Sequence, residues 1–213
     1  MGGDRASGQV VTGDQPEFHL PFIGLTGAVA AGKSVALAQL EELGAATLSA
    51  DAATHDVLCD PEVIELIRER LGDGAVNDEG VNRDAVARLV FGDDDARKWL
   101  EQIIWPRVGA RIWQWRQENE HLTPAPRALV VEVPLLFEAG MDAAFDTTIV
   151  IATEQQLRRQ RAAARGHENV DEREARQLSQ DEKAERADHV ITNDGSIEHL
   201  NAKLEVLLTE LQM

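Results

Sequence analysis

Pro21-Phe22-Ile23-Gly24-Leu25-Thr26-Gly27-Ala28-Val29-Ala30-Ala31-Gly32-Lys33-Ser34 is the stretch that decides the fold. Its first part, Pro21 to Thr26, is a short apolar run of the sort that makes a buried strand. Residues Gly27 to Ser34 fit Gly-x-x-x-x-Gly-Lys-[Ser/Thr], a loop whose glycines let the backbone curl and aim several N–H groups at one anion. Beyond it Val35, Leu37, Ala38, Leu40 and Leu43 recur at helical spacing, and Gly44 supplies a stop. A strand, a phosphate loop and a helix in this order predict a nucleoside triphosphate site, with the helix N-terminus adding partial positive charge. Gly27, Ala28, Val29, Ala30, Ala31, Gly32 and Val35 lend it backbone, Lys33 reaches the β- and γ-phosphates, and the Ser34 hydroxyl holds Mg²⁺. A chance glycine-rich turn is the bland alternative, and the strand and helix on either side argue against it. The motif leaves open what becomes of the triphosphate.

Four further strand candidates follow: Ala45–Ser49, Ala128–Val133, Asp146–Ile151 and Asp188–Thr192. Helical patterns separate them, so the chain reads as an α/β protein with a parallel sheet covered on both faces. The long interval from Ser49 to Arg127 is helical in character, with helices expected over Pro61–Leu71, Asn82–Phe91 and Asp94–Glu118 and turns at Asp73-Gly74 and Asp78-Glu79-Gly80. Trp99, Ile103, Ile104, Val108, Ile112 and Trp115 lie at helical spacing in the third of these, which reads as a packing stripe. Gln155 to Arg186 is dense in charge and reads either as a solvated helix pair or as a lid that brings arginines over the phosphates. Ser196 to Leu211 is an amphipathic terminal helix.

Composition narrows the partners. The 213 residues carry a net charge of −17, which disfavours non-specific binding to nucleic acid or to an anionic membrane. A phosphate-rich substrate therefore needs a local basic cluster, and Arg158, Arg159, Arg161 and Arg165 form one. No apolar run approaches the roughly 20 residues that span a bilayer, and the N-terminus has no apolar core of a secretory signal. Residues 1–18 read as a disordered extension. The single cysteine, Cys59, excludes an internal disulfide, fits a reducing cytoplasm and is expected to be buried.

Phosphoryl transfer needs a group to orient or deprotonate the acceptor, cations around the transferring phosphoryl, and a metal. Asp51 is the candidate for the first, because it lies just past the second strand, at the edge where α/β sheets place ligands. The residue alone is equally well read as the N-cap of a helix from Ala52 to Leu58. Glu132 ends the third strand, where a carboxylate can touch Mg²⁺ through water; a plain buried glutamate fits that position nearly as well.

Gly24-Leu25-Thr26-Gly27…Gly32-Lys33-Ser34, Ala50-Asp51, Val133-Pro134-Leu135-Leu136-Phe137-Glu138 and Ala187-Asp188-His189-Val190-Ile191-Thr192-Asn193-Asp194-Gly195, in that order, resemble the dephospho-coenzyme A kinase family. So do Arg173-x-x-x-Gln177 and Glu182-Lys183. The resemblance implies a three-layer P-loop fold with a five-stranded parallel sheet, a helical substrate-binding insertion and a helical lid. It implies a core of residues 19–51, 127–152 and 187–213, an acceptor domain of 52–126 and a lid of 153–186. It further implies ATP and dephospho-coenzyme A as substrates, with transfer of the γ-phosphate to the 3′-hydroxyl. Asp51 falls on the family aspartate that activates this hydroxyl, Asn193 falls on the nucleotide side, and Arg165 or its rival Arg161 is the lid arginine facing the phosphates. A cytoplasmic monomer is expected, with weak oligomers left open.

The chain departs from the family pattern in several places. Ala28, Ala30, Ala31 and Val35 replace Gly, Gly, Ser and Thr, which predicts a stiffer loop because alanine reaches positive φ only at a cost. Ser49 stands where an aspartate is common, and Trp105-Pro106 occupies a His-Pro position, so any acceptor contact there must be stacking or apolar. A nucleoside or nucleoside-monophosphate kinase of the same architecture, or a non-catalytic nucleotide-binding homologue, remains the alternative. A GTPase switch is disfavoured by the lack of an Asn-Lys-x-Asp motif.

Overall fold

The structure is a computed structural model that describes residues 20–164 and 177–213. The extension expected at 1–18 and the lid residues Arg165 and Arg173 lie outside the described residues. Strands β1 (Phe22–Gly27), β2 (Ala46–Ser49), β5 (Leu129–Glu132), β6 (Thr147–Ala152) and β7 (His189–Thr192) form one parallel sheet in the order β2-β5-β1-β6-β7. Each strand lies within a residue or so of its sequence expectation. β1 is central, and the chain leaves it toward β2 on one side and later returns to β6 on the other. That reversal opens a crevice at the carboxyl ends of the strands.

The three central strands are buried on both faces, with alternate residues entering two separate clusters. Phe22, Leu129, Val131 and Val150 pack into one apolar cluster with residues from α2 (Ala50–Leu58), α3 (Pro61–Leu71), α4 (Arg83–Val90) and α5 (Asp94–Glu120). Ile23, Leu25, Val130, Ile149 and Ile151 pack into the other, with Ala36 and Leu40 of α1 (Lys33–Glu42) and Leu200, Leu204, Leu207 and Leu208 of the terminal helix α8 (Ile197–Leu211). The helical stretch after β2 therefore shares a core with the sheet. The α5 stripe is packing, as its spacing predicts: Ile104, Val108 and Ile112 are buried, and Trp99, Ile103 and Trp115 pack against them. This contact carries the helix through Pro106, whose missing N–H would break an unsupported helix.

Three features differ from the sequence reading. A two-stranded ribbon, β3 (Val76–Asn77) and β4 (Gly80–Val81), flanks the turn expected at Asp78-Glu79; strands of two residues carry no readable period. Cys59 is exposed rather than buried. It caps the C-terminus of α2 two residues past buried Val57, off the face that packs. The charged stretch is not a uniformly solvated pair: Arg158 of α6 (Gln155–Ala164) and Lys183 of α7 (Gln180–Arg186) are both buried.

Ala30 takes φ 59°, a left-handed conformation that the sequence made costly by placing alanine there. Offset by the greater chain entropy of glycine, Ala30→Gly is expected to stabilise the protein by about 0.5–1 kcal/mol and to raise Tm by about 2 °C. Thermal unfolding of the two proteins side by side measures this, and a Tm that stays level or falls contradicts it.

Candidate active site

The loop between β1 and α1 is shaped by two close approaches. At Gly27, φ is +154° and a Cβ would lie 2.5 Å from the Ile151 carbonyl oxygen of β6, a backbone atom that cannot yield. At Gly32, φ is +93° and a Cβ would overlap the Asn193 side-chain amide. Gly32 is also the N-cap of α1, and no side chain caps that helix. By contrast α2, α3, α4, α5, α7 and α8 start on Ser49, Asp60, Asn82, Asp93, Ser179 and Ser196, each accepting a backbone N–H. The α1 N-terminus thus offers its first turn to a ligand anion.

Lys33 lies half-buried in the first turn and its Nζ donates to the carbonyl oxygens of Gly27 and Ala28 at 3.1 and 3.2 Å, so the ammonium folds back over its own loop. Ser34 follows, exposed. The Ala31 N–H is engaged with the Ala28 carbonyl at 3.2 Å.

The loop is buttressed from behind. Asn193, buried just past β7, donates from Nδ2 to the Ala31 carbonyl at 2.9 Å, and its own N–H donates to Ala152 at 2.7 Å. Thr153, buried just past β6, reaches the Ala31 carbonyl at 2.8 Å and the Asn193 carbonyl at 3.2 Å through Oγ1. Arg161 donates to the Asn193 carbonyl at 3.0 Å and to Thr153 Oγ1 at 3.4 Å, beside Gly32. Arg158 donates to the Val29 carbonyl at 3.4 Å. Two arginines are therefore fixed against the loop from α6. Thr153 escaped the sequence reading; its only signal is that it follows the strand next to β1, at the ligand edge of the sheet.

The other side of the loop is assembled by strand register. Glu132 pairs with Leu25 of β1 on one side and with Ser49 of β2 on the other, which brings the end of β2 level with the loop. Helix α2 begins at Ala50, two residues earlier than expected, and its N-cap is Ser49, which accepts the Asp51 N–H at 3.3 Å. The capping reading of Asp51 is therefore corrected: Ser49, two places before it, does that work, and the Asp51 carboxylate stays exposed. Glu132 is buried. Burial raises its pKa above the usual carboxylate value, Lys33 opposes that and Asp51 adds to it. Burial likewise lowers Lys33, while Glu132 pulls it back up. Lys33, Asp51 and Glu132 therefore share one electrostatic site.

Beside it, a cavity of about 140 Å³ is lined by Asp51, Thr54, Trp105, Pro134 and Leu135 among others. Thr54 and Trp105 also line a second, apolar cavity of about 300 Å³ among α2, α4 and α5. On the other flank of the loop, Ala28, Arg158 and residues 177–180 border a polar cavity of about 360 Å³. The arrangement is a loop closed by an uncapped helix N-terminus, with carboxylates and an apolar recess on one side and arginines on the other.

Comparison with known proteins names that arrangement. The dephospho-CoA kinase family model matches residues 21–199. A dephospho-CoA kinase of Symbiobacterium thermophilum is 41% identical over 189 residues, covering 86% of this chain and 78% of that one. A dephospho-CoA kinase of Deinococcus radiodurans is 37% identical, covering 92% and 94%. A solved crystal structure from Thermus thermophilus superposes with a TM-score of 0.75 at 33% identity, over 92% of this chain and all of that one. With the loop, the Asp51 edge and the Pro134–Glu138 segment all inside the matched span, this chain belongs to the dephospho-CoA kinase family.

Proposed function

We propose that this protein transfers the γ-phosphoryl group of ATP to the 3′-hydroxyl of dephospho-coenzyme A, giving coenzyme A and ADP. The observation that carries the reading is the convergence of Lys33, Asp51 and Glu132 at one sheet edge, next to a recess lined by Asp51, Trp105 and Pro134. In this mechanism the loop backbone and Lys33 hold the β- and γ-phosphates. Asp51 receives a hydrogen bond from the acceptor hydroxyl and takes its proton as the oxygen attacks phosphorus in line and ADP leaves. Arg161 supplies positive charge next to Gly32, and Asn193 acts through the loop by holding Ala31. Trp105 offers the acceptor an aromatic face in place of the histidine common in the family. Residues 52–126 then form the acceptor domain and 153–186 the lid.

Mg²⁺ belongs to the same proposal. The residues that would hold it are Ser34, through its hydroxyl, and Glu132, through water, with Asp51 the second carboxylate of the site. This sparse oxygen set fits a cation bound mainly through phosphates and water. When bound, it would neutralise charge on the β- and γ-phosphates. The single free Cys59, which stands exposed, fits a cytoplasmic location.

The direct test measures ADP release with dephospho-coenzyme A against a panel of nucleosides and nucleoside monophosphates. Turnover confined to dephospho-coenzyme A supports the assignment. ATP binding without acceptor-stimulated ADP release would mark a non-catalytic homologue.

Lys33→Met is expected to lower kcat by about 10³-fold, and Asp51→Asn by about 10²- to 10³-fold with little change in KM for ATP. Both variants should keep the wild-type circular dichroism spectrum. An Asp51→Asn enzyme that retains its rate would remove Asp51 from the chemistry.

Glu132 also makes stability depend on pH. Its folded pKa lies above the unfolded value, so the native state binds more protons and stability is lost as pH rises through that raised range. Glu132→Gln should therefore raise Tm at neutral pH while lowering activity, and the gain in Tm should fade as pH falls toward the ordinary glutamate range. Thermal melts across pH check the sign.

A further inference from the structure

Lys183 is 0% exposed, on a side chain that folded proteins rarely bury unless it is paired. Its Nζ donates to the Pro134 carbonyl at 2.7 Å and to Glu138 Oε1 at 3.1 Å. Burial lowers the lysine pKa and Glu138 acts against that. The same Glu138 oxygen accepts the Leu178 N–H at 2.8 Å, and the same Pro134 carbonyl accepts Thr26 Oγ1 at 3.3 Å.

These bonds join three functional pieces through one buried ammonium. Thr26 immediately precedes Gly27 at the start of the phosphate loop. Pro134 lines the recess beside Asp51. Leu178 belongs to the segment that enters α7 and borders the polar cavity next to Ala28. A buried ion pair contributes little net stability compared with apolar side chains of the same volume, so stability alone gives no reason for charge here. A directional pair does fix the distance between two walls, which a greasy contact does not.

We propose that Lys183 and Glu138 are positioning residues that hold the acceptor wall, Pro134–Leu135, in register with the Gln177–Arg186 segment on the phosphate side. The pair touches neither substrate. It sets where the recess stands relative to the loop, so its loss is read in acceptor binding and in communication between the two sides. The proposal rests on the acceptor assignment above only for the identity of the small molecule used.

The test compares wild type, Lys183→Met and Lys183→Met/Glu138→Gln. The single variant strands a buried carboxylate and is expected to be unstable. The double variant removes both charges while leaving a side-chain oxygen for the Leu178 N–H, and its Tm is expected to return close to wild type. In that stable double variant, KM for dephospho-coenzyme A should stay raised by about tenfold while KM for ATP stays within about twofold. A purely structural pair would instead give a stable double variant with wild-type KM values, and that result, or an equal rise in both KM values, overturns the proposal. Hydrogen exchange upon addition of a non-hydrolysable ATP analogue provides a second readout that needs no acceptor. In wild type, segments 133–139 and 177–186 should gain protection together; in the double variant only 177–186 should respond. Continued joint protection in the double variant overturns the proposal. If wild type shows no turnover with dephospho-coenzyme A, the functional assignment fails by itself, and the exchange experiment still decides the role of the pair.

Discussion

The passage of the chain from β1 into α1 is the constraint on which the site depends. Gly27 runs so close to the Ile151 carbonyl that no side chain fits, and Gly32 turns the chain in a left-handed conformation against Asn193. Between those two points the backbone has one way to go, and it delivers the uncapped N-terminus of α1 and the Lys33 ammonium to the carboxyl edge of the sheet. Neighbouring strands supply what the loop lacks. β6 and β7 send Thr153 and Asn193 behind it, while β2 and β5 send Asp51 and Glu132 beside it. A phosphate site of this kind is a property of the sheet edge as much as of the motif.

The electrostatics follow from where that edge lies. Lys33 and Glu132 are each pushed toward neutrality by burial and pulled back by the other. Such a pair is expensive to keep in an apolar setting, and the cost concentrates where a triphosphate would arrive. In a chain of net charge −17, several cations are held close to this edge. Arg158 and Arg161 are held against the loop by backbone carbonyls, and Lys183 of α7 is buried against Pro134 and Glu138. The acidic exterior and the basic interior edge together favour an anionic ligand at one location.

Much of this was legible in the chain. Short continuous apolar runs located all five strands of the sheet, since the strands of a parallel sheet covered on both faces need not alternate. The motif located the loop, and the rule that ligands sit past strand ends selected Asp51 and Glu132. Other features could not be read. The Ser49 cap of α2 depends on where β2 stops, and the Asp51 carboxylate stays exposed only because Ser49 takes the capping bond. The exposure of Cys59 depends on which face of α2 packs, and the β3–β4 ribbon is too short for any period.

Sequence alone therefore determined the order of elements, the phosphate loop and the residue types at the strand ends, because each is written in local spacing and in the conformational limits of single residues. Tertiary structure decided the rest: that Asn193 and Thr153, from the carboxyl ends of two neighbouring strands, meet at Ala31; that Arg161 rests beside Gly32; and that Lys183 is buried against Pro134 and Glu138. These contacts join residues 32 to 162 positions apart in the chain. Nothing in local periodicity records such pairings, since they exist only once the parallel crossovers bring the strand ends side by side.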